Sequence, residues 1–123
     1  MTWGRLSTGA LGEEEAQRVL KKNGYRILDR NFRARFGEID IVAMDNGVIV
    51  FVEVRTKKAG SVFGRPGESI DMGKQRRITL AAEEYLSSLG ISDHPARFDV
   101  VSVEVDGDVF KAELIKDAFD AGL

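Results

Sequence analysis

The residues with the clearest chemical potential are acids in unexpected places. Glu38, Asp40 and Glu53 lie within GEIDIVAMDNGVIVFVEVRT, residues 37–56, a run of strand-forming composition whose buried positions should favour Val or Ile. The chain has no cysteine and one histidine, His94, so thiolate chemistry, disulfides and a His-rich metal site are excluded. Any metal must be held by oxygens, which suits Mg²⁺ and, with it, Mn²⁺.

The spacing of these acids implies a geometry. Asn46-Gly47 suits a two-residue hairpin turn, which sets Asp45 opposite Val48. The same register sets Asp40 opposite Glu53 and Glu38 opposite Arg55. Directly opposed residues share a sheet face with Cβ atoms about 4.5–5.5 Å apart. Two carboxylates aimed at one spot repel each other unless one is protonated or a cation lies between them. The alternative is a solvated ladder in which Glu38 pairs with Arg55 while Asp40 and Glu53 face water. Against it, Glu53 is flanked by Val52 and Val54 and shares its face with Ile49 and Phe51.

Two helices can add to this pair. At 100° per residue, Glu13 falls about 20° from Leu20 and flanks the stripe Ala16, Val19, Leu20, whereas Glu14 points nearly opposite. Glu13 can therefore reach the sheet, or can simply be a carboxylate favoured at a helix start. Lys74 shares a helix side with Ile78, Ala81 and Tyr85 and can deliver an ammonium to the acids or lie along the apolar surface.

The net charge of −2 conceals an asymmetry: residues 1–77 carry 15 bases against 10 acids, and residues 78–123 carry 3 against 10. The bases form two clusters, Lys21, Lys22, Arg26, Arg30, Arg33 and Arg35, then Arg55, Lys57, Lys58, Arg65, Lys74, Arg76 and Arg77. A local basic surface can meet a phosphate backbone despite an acidic total, or can be a solvated face.

The elements that must position these residues read as helix, three strands, helix, two strands. The first helix spans Gly9 to Asn23, capped by Ser7 or Thr8 and stopped by Gly24. Strands follow at Tyr25–Phe32 and on either side of Asn46-Gly47. Residues 57–69 read as a mobile Gly-rich basic loop with a turn at Pro66-Gly67. The second helix covers Asp71 to Leu89 with Ile78, Ala81, Ala82, Tyr85, Leu86 and Leu89 on its core side. Phe98–Val105 and Asp108–Ile115 then pair around Asp106-Gly107, and residues 116–123 form a short helix or a disordered tail. The expected fold is an α/β (α+β) mixed sheet flanked by helices, in one domain over residues 1–123 with its core at about 9–115. The longest apolar run in the strand region, Val48 to Val52, is far short of the roughly 20 residues of a membrane helix. With no export signal, the expected location is cytoplasmic.

An acid on one strand, a hairpin, E-x-K on the next strand and an acid from a preceding helix resemble the metal-dependent nucleases typified by restriction endonucleases and archaeal Holliday-junction resolvases. More closely, G-E-I-D-I-V, F-V-E-V-R-T, Arg30-Asn31-Phe32, Gly12-Glu13 and Arg97-Phe98-Asp99-Val100-Val101 are similar to the YraN-like family of bacterial proteins, from about Gly9 to Val105. That family has no established activity, so the resemblance speaks more to fold than to function. It implies a restriction-endonuclease-like core with Asp40 and Glu53 as the principal metal ligands, Glu13, the helix acid, as a third, and Arg55 in the place of the E-x-K lysine. No proline precedes Asp40. Arginine stays charged and cannot act as a general base, although it can hold a phosphate; Lys57, two residues on, is the candidate substitute.

The expected function is Mg²⁺-dependent hydrolysis of DNA phosphodiester bonds, with DNA favoured over RNA. Asp40, Glu53, Arg55 and Lys57 would form the catalytic group, and Lys58, Arg65, Lys74, Arg76 and Arg77 would join Arg55 and Lys57 in holding the backbone. The resolvase resemblance adds a branched or distorted substrate and a homodimer, by analogy alone. Two other readings remain open, a catalytically weak nucleic-acid-binding domain of the same fold, and acids that only solubilise a sheet edge.

Overall fold

The computed structural model describes residues 8–60 and 70–120. In chain order it contains α1 (Thr8–Lys22), β1 (Arg26–Arg33), β2 (Glu38–Asp45), β3 (Val48–Lys58), α2 (Met72–Ser88), β4 (Ala96–Asp106) and β5 (Val109–Phe119). This is the expected α+β order. The five strands form one mixed sheet in the order β1-β2-β3-β4-β5, antiparallel except where α2 carries the chain from β3 to a parallel β4.

Turn chemistry fixes the local joins. Asn46 (φ 50°) and Gly47 (φ 84°) both take positive φ, the requirement of the hairpin turn expected from their types. The β2–β3 register follows, from Asp45 opposite Val48 to Ile41 opposite Val52. Each helix ends on a glycine in the left-handed region, Gly24 (φ 87°) and Gly90 (φ 71°). Beyond them Tyr25 N–H donates to the Leu20 carbonyl and Ile91 N–H to the Leu86 carbonyl, each at 3.0 Å, so the last carbonyls of both helices are satisfied.

The helices cover opposite faces of the sheet. On one, Ala16 and Leu20 of α1 bury against Ile41, Val50, Val52, Val101 and Val103. On the other, Ile78, Ala81, Ala82, Tyr85 and Leu86 of α2 bury against Val42, Ile49, Phe51, Phe98 and Val100. Tyr85 meets Phe32 and Phe51 edge-on, with centroids 5.1 and 5.8 Å apart. Leu89, expected on the core side, is the C-cap of α2 and 55% exposed.

Other expectations need correction. Lys57 and Lys58 are not loop residues; β3 runs on through both, paired with Glu104 and Val105, because β4 supplies a full parallel ladder there. Residues 61–69, with Arg65 and the Pro66-Gly67 turn, lie outside the described residues, as does Ser7. Residues 116–119 are strand rather than helix or tail: Phe119 pairs with Phe98 and stacks on its ring at 4.7 Å, extending the core beyond residue 115. The last hairpin turns on Gly107 and Asp108, since Asp106 itself pairs with Val109.

One buried acid is absorbed by structure. Asp99 is fully buried and accepts hydrogen bonds from Tyr25 Oη (2.6 Å), Arg97 Nε (3.0 Å) and Asp117 N (2.9 Å). Arg97 also donates to Asp45 at 2.6 Å, so the group ties β4 to the α1–β1 corner, the β2–β3 turn and β5.

Candidate functional site

The site forms where the hairpin opens. The β2–β3 ladder stops at Ile41–Val52, one step before Asp40 and Glu53. There the Asp40 side chain takes over from the main chain, with Oδ2 accepting the Val54 N–H at 2.8 Å. The regular alternation of β2 fails at the same point, since Ile39 packs on the α2 side and Ile41 on the α1 side. Asp40 is thereby turned toward the gap between the layers, where its charge acts on Glu13 of α1 and on Glu53 of β3.

Glu53 is the more confined of the two acids, 7% exposed on a strand whose preceding five residues are apolar. Burial first, and the neighbouring Asp40 second, push its carboxyl up to about 7, against the opposing pull of Lys74. Lys74 comes from the first turn of α2, where Asp71 caps the helix by accepting the Lys74 N–H at 2.9 Å. Its ammonium forms an ion pair with Glu53 Oε2. Glu13 is also raised, first by burial and then by Asp40 and Glu38, with Asn31 and Arg30 opposing. Gly12 lets α1 bring it in, because a Cβ there would collide with the side chain of Thr56.

Together these residues line a cleft of about 700 Å³ with Arg33, Ala34, Gly37, Glu38, Thr56 and Arg77. The structure therefore brings together Glu13, Asp40, Glu53, Lys74 and Arg77 of the expected set. Arg55 and Lys57 follow Glu53 at strand spacing, set against Ser102 and Glu104, but neither is among the described residues lining the cleft. Lys58 is exposed on the other alternation. Arg76 lines a separate groove with Met72, Gln75, Thr79, Leu80 and Asp120. Arg65 is outside the described residues.

The β2–β3 ladder does not reach Glu38 and Arg55. Because the ladder ends early, Glu38 is partnered on its other side by Arg33, with 3.9 Å between Arg33 Nε and Glu38 Oε2. Arg33 is thus a cleft residue that the sequence placed only in a basic cluster, because its position depends on the β1–β2 register, for which the turn offered no sign.

The donor set fits a divalent cation in part. Among the described residues, no three side chains of the His, Asp or Glu type converge closely enough to hold an ion together. The Asp40–Glu53 pair matches the one or two carboxylates typical of Mg²⁺, which leaves the remaining positions to water and substrate oxygens.

Comparison with known proteins places this arrangement in a family. The chain is 48% identical over 114 residues to a UPF0102 protein of Symbiobacterium thermophilum, covering 92% of this chain and 96% of that one. It is 50% identical over 112 residues to a UPF0102 protein of Persephonella marina, covering 91% and 92%. A solved structure titled "Crystal structure of SSO0001" aligns over 91% of this chain and 52% of that one at 15% identity and a TM-score of 0.34, a likeness too slight to bear on fold or function. The model of the uncharacterised protein family UPF0102 matches residues 12–103, which hold Glu13, Asp40, Glu53 and Lys74, and the chain belongs to that family.

Proposed function

We propose that this protein hydrolyses phosphodiester bonds in DNA with a divalent cation, Mg²⁺ or Mn²⁺, held by Asp40 and Glu53. The observation that carries the reading is the pairing of these acids at the opened end of the hairpin, one buried on an apolar strand and the other fixed by the Val54 N–H. Like charges so confined are unfavourable without a cation, and the supporting cleft has Arg33, Lys74 and Arg77 on its walls. When bound, such a cation lowers the pKa of a coordinated water and offsets charge on the phosphate.

The chain's own groups supply the rest. Lys74 neutralises Glu53 in the resting site and would be free to hold a phosphate once Glu53 is otherwise engaged. Arg33 and Arg77 flank the acids and would hold the strand by its backbone, a contact set that fixes position rather than sequence. Glu13 adds a third acid to the lining of the cleft and would favour cation entry. The partner is nucleic acid, DNA rather than RNA, and the protein acts in the cytoplasm; a branched substrate and a homodimer rest on the resolvase resemblance.

A second reading, a binding domain without effective chemistry, is favoured by one observation: the residue two positions after Glu53 is Arg55, which cannot accept a proton. The test is incubation with labelled single-stranded, duplex, flap and four-way-junction DNA in Mg²⁺, Mn²⁺ or EDTA, beside Asp40→Ala and Glu53→Ala. Metal-dependent cleavage lost in both variants supports the enzyme. Salt-sensitive binding without cleavage supports the second reading, and cleavage unchanged in either variant refutes the assigned site.

A further inference from the structure

The turn between β1 and β2 carries an aromatic ring where a soluble surface gains nothing from one. Phe36 is 59% exposed, the most exposed aromatic side chain among the described residues. Its turn is not loosely placed. Ala34 N–H donates to the Gly37 carbonyl at 2.8 Å, and Arg35 N–H to Glu84 Oε1 at 3.3 Å. Gly37 lies so close to α2 that a Cβ on it would come within 2.5 Å of the Arg77 carbonyl oxygen. Arg33, Ala34 and Gly37 line the cleft that holds Asp40 and Glu53, so Phe36 stands at its rim. The Arg35 guanidinium lies over the ring, 5.2 Å from its centroid, which leaves the exposure to the ring's other face and edge.

A fixed, half-exposed ring backed by a planar cation, at the rim of a cleft lined by Arg33 and Arg77, has the properties of a surface on which a flat, electron-rich heterocycle stacks while its phosphates meet the cleft's charges. Paired bases in a duplex present no free face to such a ring; unpaired bases do. We infer that Phe36, backed by Arg35, is a stacking platform for an unpaired nucleobase at the mouth of the cleft, so that the ligand is single-stranded or frayed nucleic acid. The inference rests on the nucleic-acid reading proposed above and specifies which strands that site takes.

The test uses the full chain in EDTA with a labelled single-stranded oligonucleotide and a blunt duplex of equal length, followed by fluorescence anisotropy. Phe36→Ala should weaken single-strand binding about tenfold, the scale of one lost base–aromatic stack. Duplex binding should change less than twofold, and the salt dependence should be unaltered because no phosphate contact is removed. Phe36→Trp should restore the affinity and Phe36→Leu should not, which separates stacking from simple apolar contact. Because the side chain is exposed, all three variants should melt with the wild type. Single-strand affinity unchanged in Phe36→Ala, or retained in Phe36→Leu, overturns the inference while leaving the nuclease reading in place. A wild type that binds neither probe also overturns the inference.

Discussion

Lys74 and Glu53 form an ion pair across the junction of α2 and β3, and its ammonium stands beside the carboxylate that a divalent cation would need. The lysine is thus a resident cation in a site whose two acids require one. A metal at the proposed site would compete with Lys74 for the same carboxylate, which gives a signed prediction. Lys74→Met should tighten Mn²⁺ binding, and for a pair with one half-exposed partner a term of about 1 kcal/mol, roughly fivefold, is expected. DNA cleavage should fall in the same variant because the phosphate loses a cation. Calorimetry with Mn²⁺ alone checks the first part, and equal affinity in the two proteins would refute the competition.

The position of the Glu53 titration predicts a pH dependence. Its folded carboxyl titrates near 7, above the ordinary value of 4.5, so the folded state holds an extra proton between those values. The stability this contributes is present at low pH and is lost as pH rises through about 7. Melting curves in EDTA from pH 4.5 to 8 should therefore show wild type losing stability relative to Glu53→Gln, by at most about 1.4 kcal/mol per pH unit. Metal requires the ionised form, so Mn²⁺ affinity should rise with pH up to about 7 and then level off. Parallel melting curves for the two proteins would contradict the assignment of this proton to Glu53.

Asp99 offers a contrast between a structural and a functional acid. Asp99→Ala leaves Arg97 and Tyr25 without their buried acceptor and should cost about 3–5 kcal/mol, read as a lower urea midpoint. Asp40→Asn and Glu53→Gln should cost far less, or stabilise the metal-free protein, because they relieve repulsion. Loss of stability in all three alike would remove the distinction.

These contrasts mark what the sequence could convey. Asn46-Gly47 declares its turn through local backbone preference, so the register from Asp45–Val48 to Ile41–Val52, which leads up to Asp40 and Glu53, was legible from a dipeptide. The early end of that ladder was not, because it depends on the Asp40 side chain capturing Val54 N–H, which stops the ladder short of Glu38 and Arg55. The Tyr25–Arg97–Asp99 network joins residues more than 70 positions apart, for which periodicity gives no sign. The strand at 116–119 was hidden for a related reason: Lys116, Asp117 and Ala118 have little strand character, and Phe119 is ordered by stacking on Phe98.

Gly12 links the helix to the site through sterics alone. Gly12→Ala should drive α1 off Thr56 at a cost of about 1–3 kcal/mol, with Thr56→Ala partly restoring the melting temperature of the double variant. Additive losses in the double variant would show that the close approach is not what selects glycine.

The central claim, that Asp40 and Glu53 are a divalent-cation site serving DNA hydrolysis, is tested most directly by titrating Mn²⁺ into wild type, Asp40→Asn and Glu53→Gln by calorimetry at pH 7.5. One saturable site is expected in wild type, lost or weakened at least tenfold in each variant, with its saturation tracking the onset of DNA cleavage. No binding up to millimolar Mn²⁺, or binding unchanged in either variant, would contradict it.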